Sequence, residues 1–359
     1  MNSISNSEVS KAAATTQLVS ARFKPHGESY LRLSGAQEQT RQEVLSKIRD
    51  GRYQLSTRPC QLCGSSDAIT IAQRDRYSLP VETSVCKTCS LLSTNPVMRD
   101  VDYADFYQNH YTSLYDGFQY STDEFFENQR AAGKRLHDTV KQHVDLNRKT
   151  VAEVGCAAGG ILSYFRQFCA NVVGCDYGTR FMEAGVAKGM KLKVGGIAVL
   201  RDEKPDAIIY SHVLEHILDI NAELRQVHDI LPSDGLLIID VPGIYNIESA
   251  YEADFLKYLQ NAHLFHFTSD TLKGIMAANG FETIHVDERC IGIFRKTADI
   301  KPAFSSGQHQ KITSYLQRME GKYLLVRVQK FPRKAAVKIL KSLGLHDAVR
   351  NMYRKLAPR

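Results

Sequence analysis

The sequence predicts a doubly wound α/β fold, a mostly parallel sheet covered on both faces by helices, and three observations carry that expectation. Apolar runs of β character at residues 151–154, 170–175, 207–210, 236–240 and 283–287 alternate with segments long enough for helices, the pattern of parallel strands joined by crossover helices. A glycine-rich turn closes the first of these runs, at residues 155–160. A chain of 359 residues also exceeds one minimal core, which leaves room for a second folded unit and for tails.

Composition agrees with a globular protein: 43% apolar and 24% charged residues supply a core and exclude global disorder. The first 20 residues are polar and rich in Ser, Thr and Ala. They lack the apolar stretch of a secretory signal or membrane span, so the expected location is cytoplasmic. Eight cysteines in a reducing compartment are then thiols, and cysteine pairs at short spacing point to a metal before a disulfide. The net charge of +7 is uneven, with +12 on residues 301–359 and −5 on residues 1–300. Its basic character belongs to the tail.

Four segments follow along the chain. Residues 1–52 read as a flexible leader carrying one short helix, capped by Ser34 and ended by Gly51. Residues 53–100 read as a zinc-binding module with short β runs at 68–72 and 81–85. Residues 101–298 form the α/β domain, opening with a connector that carries Tyr103, Tyr107, Tyr111, Tyr115 and Tyr120 and a helix over 122–144. Residues 299–359 form a basic tail of one or two helices, broken near Pro332 and at Gly344 and imperfectly amphipathic over 336–343.

The string VAEVGCAAGG at 151–160 runs a strand into a tight turn before a helix. Gly155 and Gly159 permit the turn and the close approach of a nucleoside, while the helix N-terminus offers free N–H groups. The next strand ends in VVGCD, placing Asp176 17 residues after Gly159, where a carboxylate accepts hydrogen bonds from ribose hydroxyls or caps a helix. This turn resembles the E/D-x-G-x-G-x-G motif of class I S-adenosylmethionine-dependent methyltransferases, with Glu153, Gly155, Ala157 and Gly159 in register and Ala157 replacing the middle glycine. PDAIIYSHVLEH at 205–216 resembles the "hxLEH" segment of the same superfamily. GLLIIDVPG at 235–243, HLFHFT at 263–268 and ANGF at 278–281 extend the likeness to about residues 103–295.

That resemblance implies a Rossmann-like sheet of seven strands and S-adenosylmethionine as cofactor. Ser211 and His212 are then expected beside the methionine part and the transferable methyl, and Tyr111 in a lid or simply packed in the connector. Gly195 and Gly196 stand where many relatives place an acid for adenine. His216 and His263 are the expected bases, with His266 a third candidate, since an imidazole near its ordinary pKa suits proton removal at neutral pH.

Cys60-x-x-Cys63 and Cys86-x-x-Cys89, 22 residues apart, have the spacing of a closed four-thiolate zinc site, which serves folding and not catalysis. The module resembles the zinc-binding domain ahead of methyltransferases of bacterial sugar and polysaccharide pathways, matching at Gly64, at Arg76-Tyr77-Ser78-Leu79-Pro80 and at Leu91, with Ser90 departing. In the sugar C-methyltransferases of this type a loop reads Y-H-E-H, and its Glu-His pair is catalytic. Residues 260–263 read QNAH, keeping the histidine without the acid. The expectation is therefore methyl transfer to a hydroxyl of a sugar or glycan in polysaccharide or cell-envelope biosynthesis. The alternatives are C-methylation of a nucleotide-linked ketosugar, an RNA methyltransferase, or a non-enzymatic nucleotide-binding or assembly protein. Nucleic acid is the less expected partner because residues 60–89 lack a basic-aromatic stripe. The tail is expected to touch an anionic membrane surface peripherally, or to pack on the domain.

Overall fold

A computed structural model describes residues 15–115, 121–301 and 304–342. Leader residues 1–14, Tyr120, Leu343, Gly344 and the remaining tail to residue 359 lie outside the described residues.

The large sheet has seven strands, in chain order Thr150–Val154, Asn171–Asp176, Leu192–Val194, Ala207–Ser211, Leu236–Asp240, Phe281–Val286 and Ile291–Lys296. Across the sheet they lie six-seven-five-four-one-two-three. The first five are mutually parallel, and the seventh runs antiparallel to the fifth and the sixth. The expected α/β class and seven-stranded sheet are present. The third strand, only three residues long, and the seventh were absent from the apolar runs singled out in the sequence.

Alternation along the central strands fills two cores. One face presents Ala152, Val154, Ile208, Tyr210, Leu237 and Ile239, and packs on Leu224 and Val227 of helix Ile220–Ile230 and on Leu272 and Ile275 of helix Ser269–Ala278. The other presents Val151, Val172, Ala207, Ile209 and Ile238 to Phe126 and Leu136 of helix Thr122–Val140 and to Ile161 and Leu162 of helix Gly160–Phe165. Burial on both faces is why these strands read as continuous apolar runs. Helix Thr122–Val140 starts at Ser121, whose side chain accepts from Glu124 N while the Glu124 carboxylate accepts from Ser121 N.

A second sheet joins the cysteine-bearing segment to the α/β body. Its strands are Thr15–Thr16, Ala68–Ala72, Thr83–Cys86, Leu92–Thr94 and Phe265–His266, in that spatial order. The last comes from the α/β domain, and Phe265 and His266 pair antiparallel with Ser93 and Leu92. The expected zinc module thus shares its sheet with the loop that follows the fifth strand.

Two expectations about the termini change. Residues 15–34 pack against the body: Phe23 is fully buried among Ile71, Phe255 and Leu316, and Arg22 pairs with Asp254 at 2.6 Å. The Tyr30 hydroxyl donates to the second Asp254 oxygen. Aromatic and aliphatic residues at wide spacing gave no periodicity to reveal this. At the other end, helix His309–Ser342 passes through Pro332 without a break, and its first turns bury Ile312, Tyr315, Leu316 and Met319 in the same cluster as Phe23. The short helix expected near residue 34 forms over Gly35–Arg49, with Ser34 in a capping box.

Phe23→Ala is expected to lower unfolding free energy by about 3–5 kcal/mol, the range for emptying a buried aromatic site. Urea unfolding measures it, and a change within about 0.5 kcal/mol, as surface substitutions give, contradicts the packing of this segment.

Candidate active site

The order of the large sheet reverses between its first and fourth strands, which pair in parallel with Val154 beside Tyr210. The loops leaving their carboxyl ends emerge side by side there, at the usual ligand position in such sheets. Residues 155–159 leave the first strand and residues 211–216 the fourth.

The first loop needs its glycines. Gly155 has φ +69° and Gly159 φ +72°, and a Cβ on Gly155 would lie 2.3 Å from Val213 Cγ2 in the opposite loop. Ala157 also sits at positive φ, +44°, a region that disfavours a side chain by about 1–2 kcal/mol. Asp176 holds it there: one carboxylate oxygen accepts from Ala157 N at 2.8 Å and the other from Gly178 N at 2.6 Å. The acid at the end of the second strand therefore faces the glycine turn. Glu153 lies beneath the turn, buried, with Oε2 lacking a hydrogen-bond partner. Burial, and then the charge of Asp176, push its carboxyl well above the usual range.

The second loop starts with Ser211, whose hydroxyl is 3.4 Å from Asp240 Oδ2, and His212, at φ +55° with its side chain 62% exposed. Glu215 follows at 1% side-chain exposure, with no hydrogen-bond partner for either oxygen. Three imidazoles surround one of those oxygens: His212 Nδ1 at 3.6 Å, His216 Nε2 at 3.8 Å and His263 Nε2 at 3.8 Å. The rings of His216 and His263 stand nearly perpendicular, centroids 4.7 Å apart.

Electrostatics divides these histidines. Desolvation pulls His212 down, but the carboxylates of Glu215 and Asp240 outweigh it and raise its pKa to about 9. Burial depresses His216 below its ordinary value. Burial, and then the neighbouring His216 and His266, depress His263 well below it. The outer imidazole is charged at neutral pH, and the inner two are neutral with lone pairs available. His266 is buried with Nδ1 3.3 Å from the Tyr258 hydroxyl, and burial lowers it to about 3, which places it in packing.

A row of tyrosines fixes the histidine loops. The chain over Asp100–Phe106 continues through a π-helical turn at Tyr107–Tyr111 into Thr112–Tyr115, an irregularity that recurs at functional sites. Tyr103 donates to the carbonyls of His216 and Ala262, and the Tyr107 hydroxyl is 2.7 Å from His216 Nδ1. Tyr111 stacks on Tyr107 at 4.6 Å and stands edge-on to His216 at 6.0 Å. The Tyr115 hydroxyl pairs with the Asn261 side chain and accepts from Ala262 N. The hydroxyls of Tyr103, Tyr107 and Tyr115 thus hold the histidine loops.

The cysteine-bearing segment grips the same loop. Asp75, fully buried, accepts from Tyr77 N and Leu79 N on one oxygen and from Asn261 N on the other. Arg76 donates to the Gln260 carbonyl oxygen, whose amide nitrogen contacts His263 Nε2. Thr94 donates to the His263 carbonyl at 2.8 Å. Cys60, Cys63, Cys86 and Cys89 form a cluster of their own, beside Gln61, which bonds to Leu218 O and Ile220 N. Their sulfurs lie within 4.8 Å of one another, with Cys60–Cys89 at 3.4 Å and Cys63–Cys86 at 3.5 Å. Those separations are far from a disulfide bond of about 2.05 Å and close to the spacing of about 3.8 Å around a tetrahedral zinc.

Sequence reasoning named every imidazole of this cluster and missed its centre. Glu215 stood inside the "LEH" segment as a motif letter, and only the third dimension brings His263 to it. Asp75, Arg76 and Gln260 carried no signal of contact with the histidine loop.

Among known families, the one described as a methyltransferase domain matches residues 126–286, which span the turn, Asp176 and the Glu215 cluster. These residues form a class I S-adenosylmethionine-dependent methyltransferase domain. The methyltransferase has no match among curated proteins. Solved structures resemble it remotely. The 1,6-didemethyltoxoflavin N1-methyltransferase of Burkholderia thailandensis, with S-adenosylhomocysteine bound, is 18% identical over 58% of this chain and 96% of its own, with a TM-score of 0.41. An amino pentose methyltransferase of Micromonospora echinaspora involved in calicheamicin biosynthesis is 14% identical over 52% of this chain and 96% of its own, TM-score 0.34. Likeness at this level carries no argument about the acceptor.

His266 yields a pH test of the buried cluster. Its folded pKa, about 3, lies below the ordinary 6.5, so the unfolded chain binds the proton first and the stability tied to its neutral form is lost as pH falls below about 6.5. In urea unfolding, wild type minus His266→Phe is expected to shrink between pH 7.5 and pH 5. A constant difference contradicts a buried neutral ring.

Proposed function

We propose that this methyltransferase moves the methyl of S-adenosylmethionine to a hydroxyl of a sugar or glycan in polysaccharide or cell-envelope biosynthesis. The observation that carries the reading is the pair of neutral imidazoles, His216 and His263, gathered with Glu215 at the carboxyl end of the fourth strand. Transfer is an in-line displacement at the sulfonium carbon, which requires an aligned nucleophile and relief of its proton. Neutral imidazoles in a half-dry site act on a hydroxyl at neutral pH.

In this reading the cofactor lies along the crevice. Asp176 takes the ribose hydroxyls, Gly155, Ala157 and Gly159 give its nucleoside close approach to backbone, and Ser211 and His212 border the methionine part. Tyr111 closes over it from the connector, and Glu153 acts by supporting the turn from below. The four cysteines hold a structural zinc, whose loss would loosen the sheet that carries Phe265–His266 and so the His263 loop. Among the described residues no helix is long and apolar enough to cross a membrane. Peripheral contact of the basic tail with an anionic surface is supported by exposed Leu324, Leu325 and Val326.

A second reading, C-methylation of a ketosugar, is favoured by one observation. The acid missing from residues 260–263 has a counterpart in Glu215, 3.8 Å from His263. Transfer of isotope-labelled methyl to envelope-glycan precursors and to nucleotide-linked ketosugars, with NMR of the product, separates oxygen-bound from carbon-bound methyl.

Asp176→Ala is expected to weaken S-adenosylhomocysteine binding by on the order of 10-fold or more, through lost charge-assisted hydrogen bonds. Unchanged affinity in calorimetry contradicts the ribose assignment. Cys63→Ser is expected to cost one equivalent of bound zinc and to lower the thermal midpoint. A zinc content equal to that of wild type overturns the four-thiolate site.

A further inference from the structure

The buried centre of the histidine cluster has a property that proton transfer alone does not explain. Glu215 is 1% exposed, and neither carboxylate oxygen meets a hydrogen-bond donor. Burying a carboxylate without donors is destabilising by several kcal/mol unless a cation meets it. His212 Nδ1 lies 3.6 Å from Oε1, beyond hydrogen-bond distance, on a side chain that is 62% exposed. On the inner side, Glu215 Oε1 faces His216 Nε2 and His263 Nε2, each at 3.8 Å, and one ligand atom from each of the three residues lies within 4.8 Å of the others.

We propose that Glu215, His216 and His263 hold a divalent transition-metal ion, and that this ion binds the acceptor hydroxyl. The inference rests on the reading above that the acceptor approaches this end of the crevice. Three features of the site support it. The donor set, two imidazoles and one carboxylate, suits zinc, iron, nickel or cobalt, and with three protein ligands it leaves positions open for substrate oxygen. His216 is prepared for the task, because Tyr107 engages its Nδ1 at 2.7 Å and leaves Nε2 facing Glu215, the outer contact that orients metal-bound histidines. The Gln260 amide now lies against His263 Nε2, held by Arg76 on its carbonyl oxygen, and it is the group an arriving ion displaces.

A hydroxyl bound to such an ion loses its proton to solvent far more readily, as zinc-bound water does with a pKa of about 7. The hydroxyl oxygen then forms a bond to the methyl carbon. The carbon–sulfur bond breaks with its electron pair on sulfur, which becomes a neutral thioether, and the ion keeps its oxidation state. This centre differs in kind from the four-cysteine cluster, whose closed tetrahedron has no place for substrate.

Cobalt(II) distinguishes the two, since a thiolate site adds sulfur-to-cobalt charge-transfer absorption and a nitrogen–oxygen site does not. The full chain, loaded with cobalt chloride and desalted, is expected to hold two ions by elemental analysis, only one with the charge-transfer bands. Glu215→Gln and His263→Gln are each expected to hold one fewer ion with the charge-transfer bands intact, and Glu215→Gln to bind S-adenosylhomocysteine within about twofold of wild type. A wild type holding only the thiolate-bound ion, or a Glu215→Gln protein that keeps both, overturns the proposal. Failure of wild type to bind S-adenosylhomocysteine would overturn the methyltransferase reading instead, and cobalt stoichiometry would still decide the metal site.

Discussion

The parallel pairing of the first and fourth strands, with Val154 against Tyr210, is the constraint on which the rest of the site depends. Sheet order reverses there, so two loops far apart in sequence emerge side by side with no helix between them. Val213 of one loop then presses on Gly155 of the other closely enough that a Cβ cannot be accommodated. The glycine in the turn is thus fixed by contact between the loops as much as by any ligand, and Asp176 holds the same turn at Ala157. A cofactor lodged there meets a turn already held in shape from two sides.

A second pairing joins the molecule's two sheets. Because Phe265–His266 extends the sheet of the cysteine-bearing segment, the residues just before it are held by both units. Asp75 bonds to Asn261, Arg76 to Gln260 and Thr94 to the His263 carbonyl, while tyrosines of the connector grip Ala262 and His216. His263 is therefore located by the amino-terminal unit although it belongs to the catalytic domain. This gives the cysteine cluster a bearing on chemistry without a place in it: order in that small sheet is order in the histidine loop.

Buried ionisable groups concentrate where these constraints meet. Glu153, Asp75, Glu215 and His263 are all withdrawn from water, and water-poor surroundings amplify every charge among them. Asp75 answers its burial with three backbone N–H groups, a purely architectural solution. Glu215 meets no hydrogen-bond donor on either oxygen, only imidazoles at 3.6–3.8 Å, and that contrast is what the proposed metal ion would resolve.

How much of this was legible depended on distance along the chain. The α/β class, the glycine turn, Asp176, the cysteine spacing and the capping of the Gly35–Arg49 helix were readable because each is a local pattern: strand runs buried on both faces, a turn demanding positive φ, two thiol pairs at metal spacing, a serine before a helix. The packed segment around Phe23 was not, because its burial is against residues far along the chain, and neither the short third strand, paired only with the second, nor the unbroken helix through Pro332 carried a local signal. The histidines could be named as chemistry-bearing residues by type alone. Their arrangement around Glu215, and the hold of Arg76 and Asp75 on the loop at 260–263, were decided only by the tertiary structure, since no spacing rule links residues 75, 215 and 263. Sequence dictates what repeats over a few residues, and the meeting of distant loops follows from how sheets pair and pack.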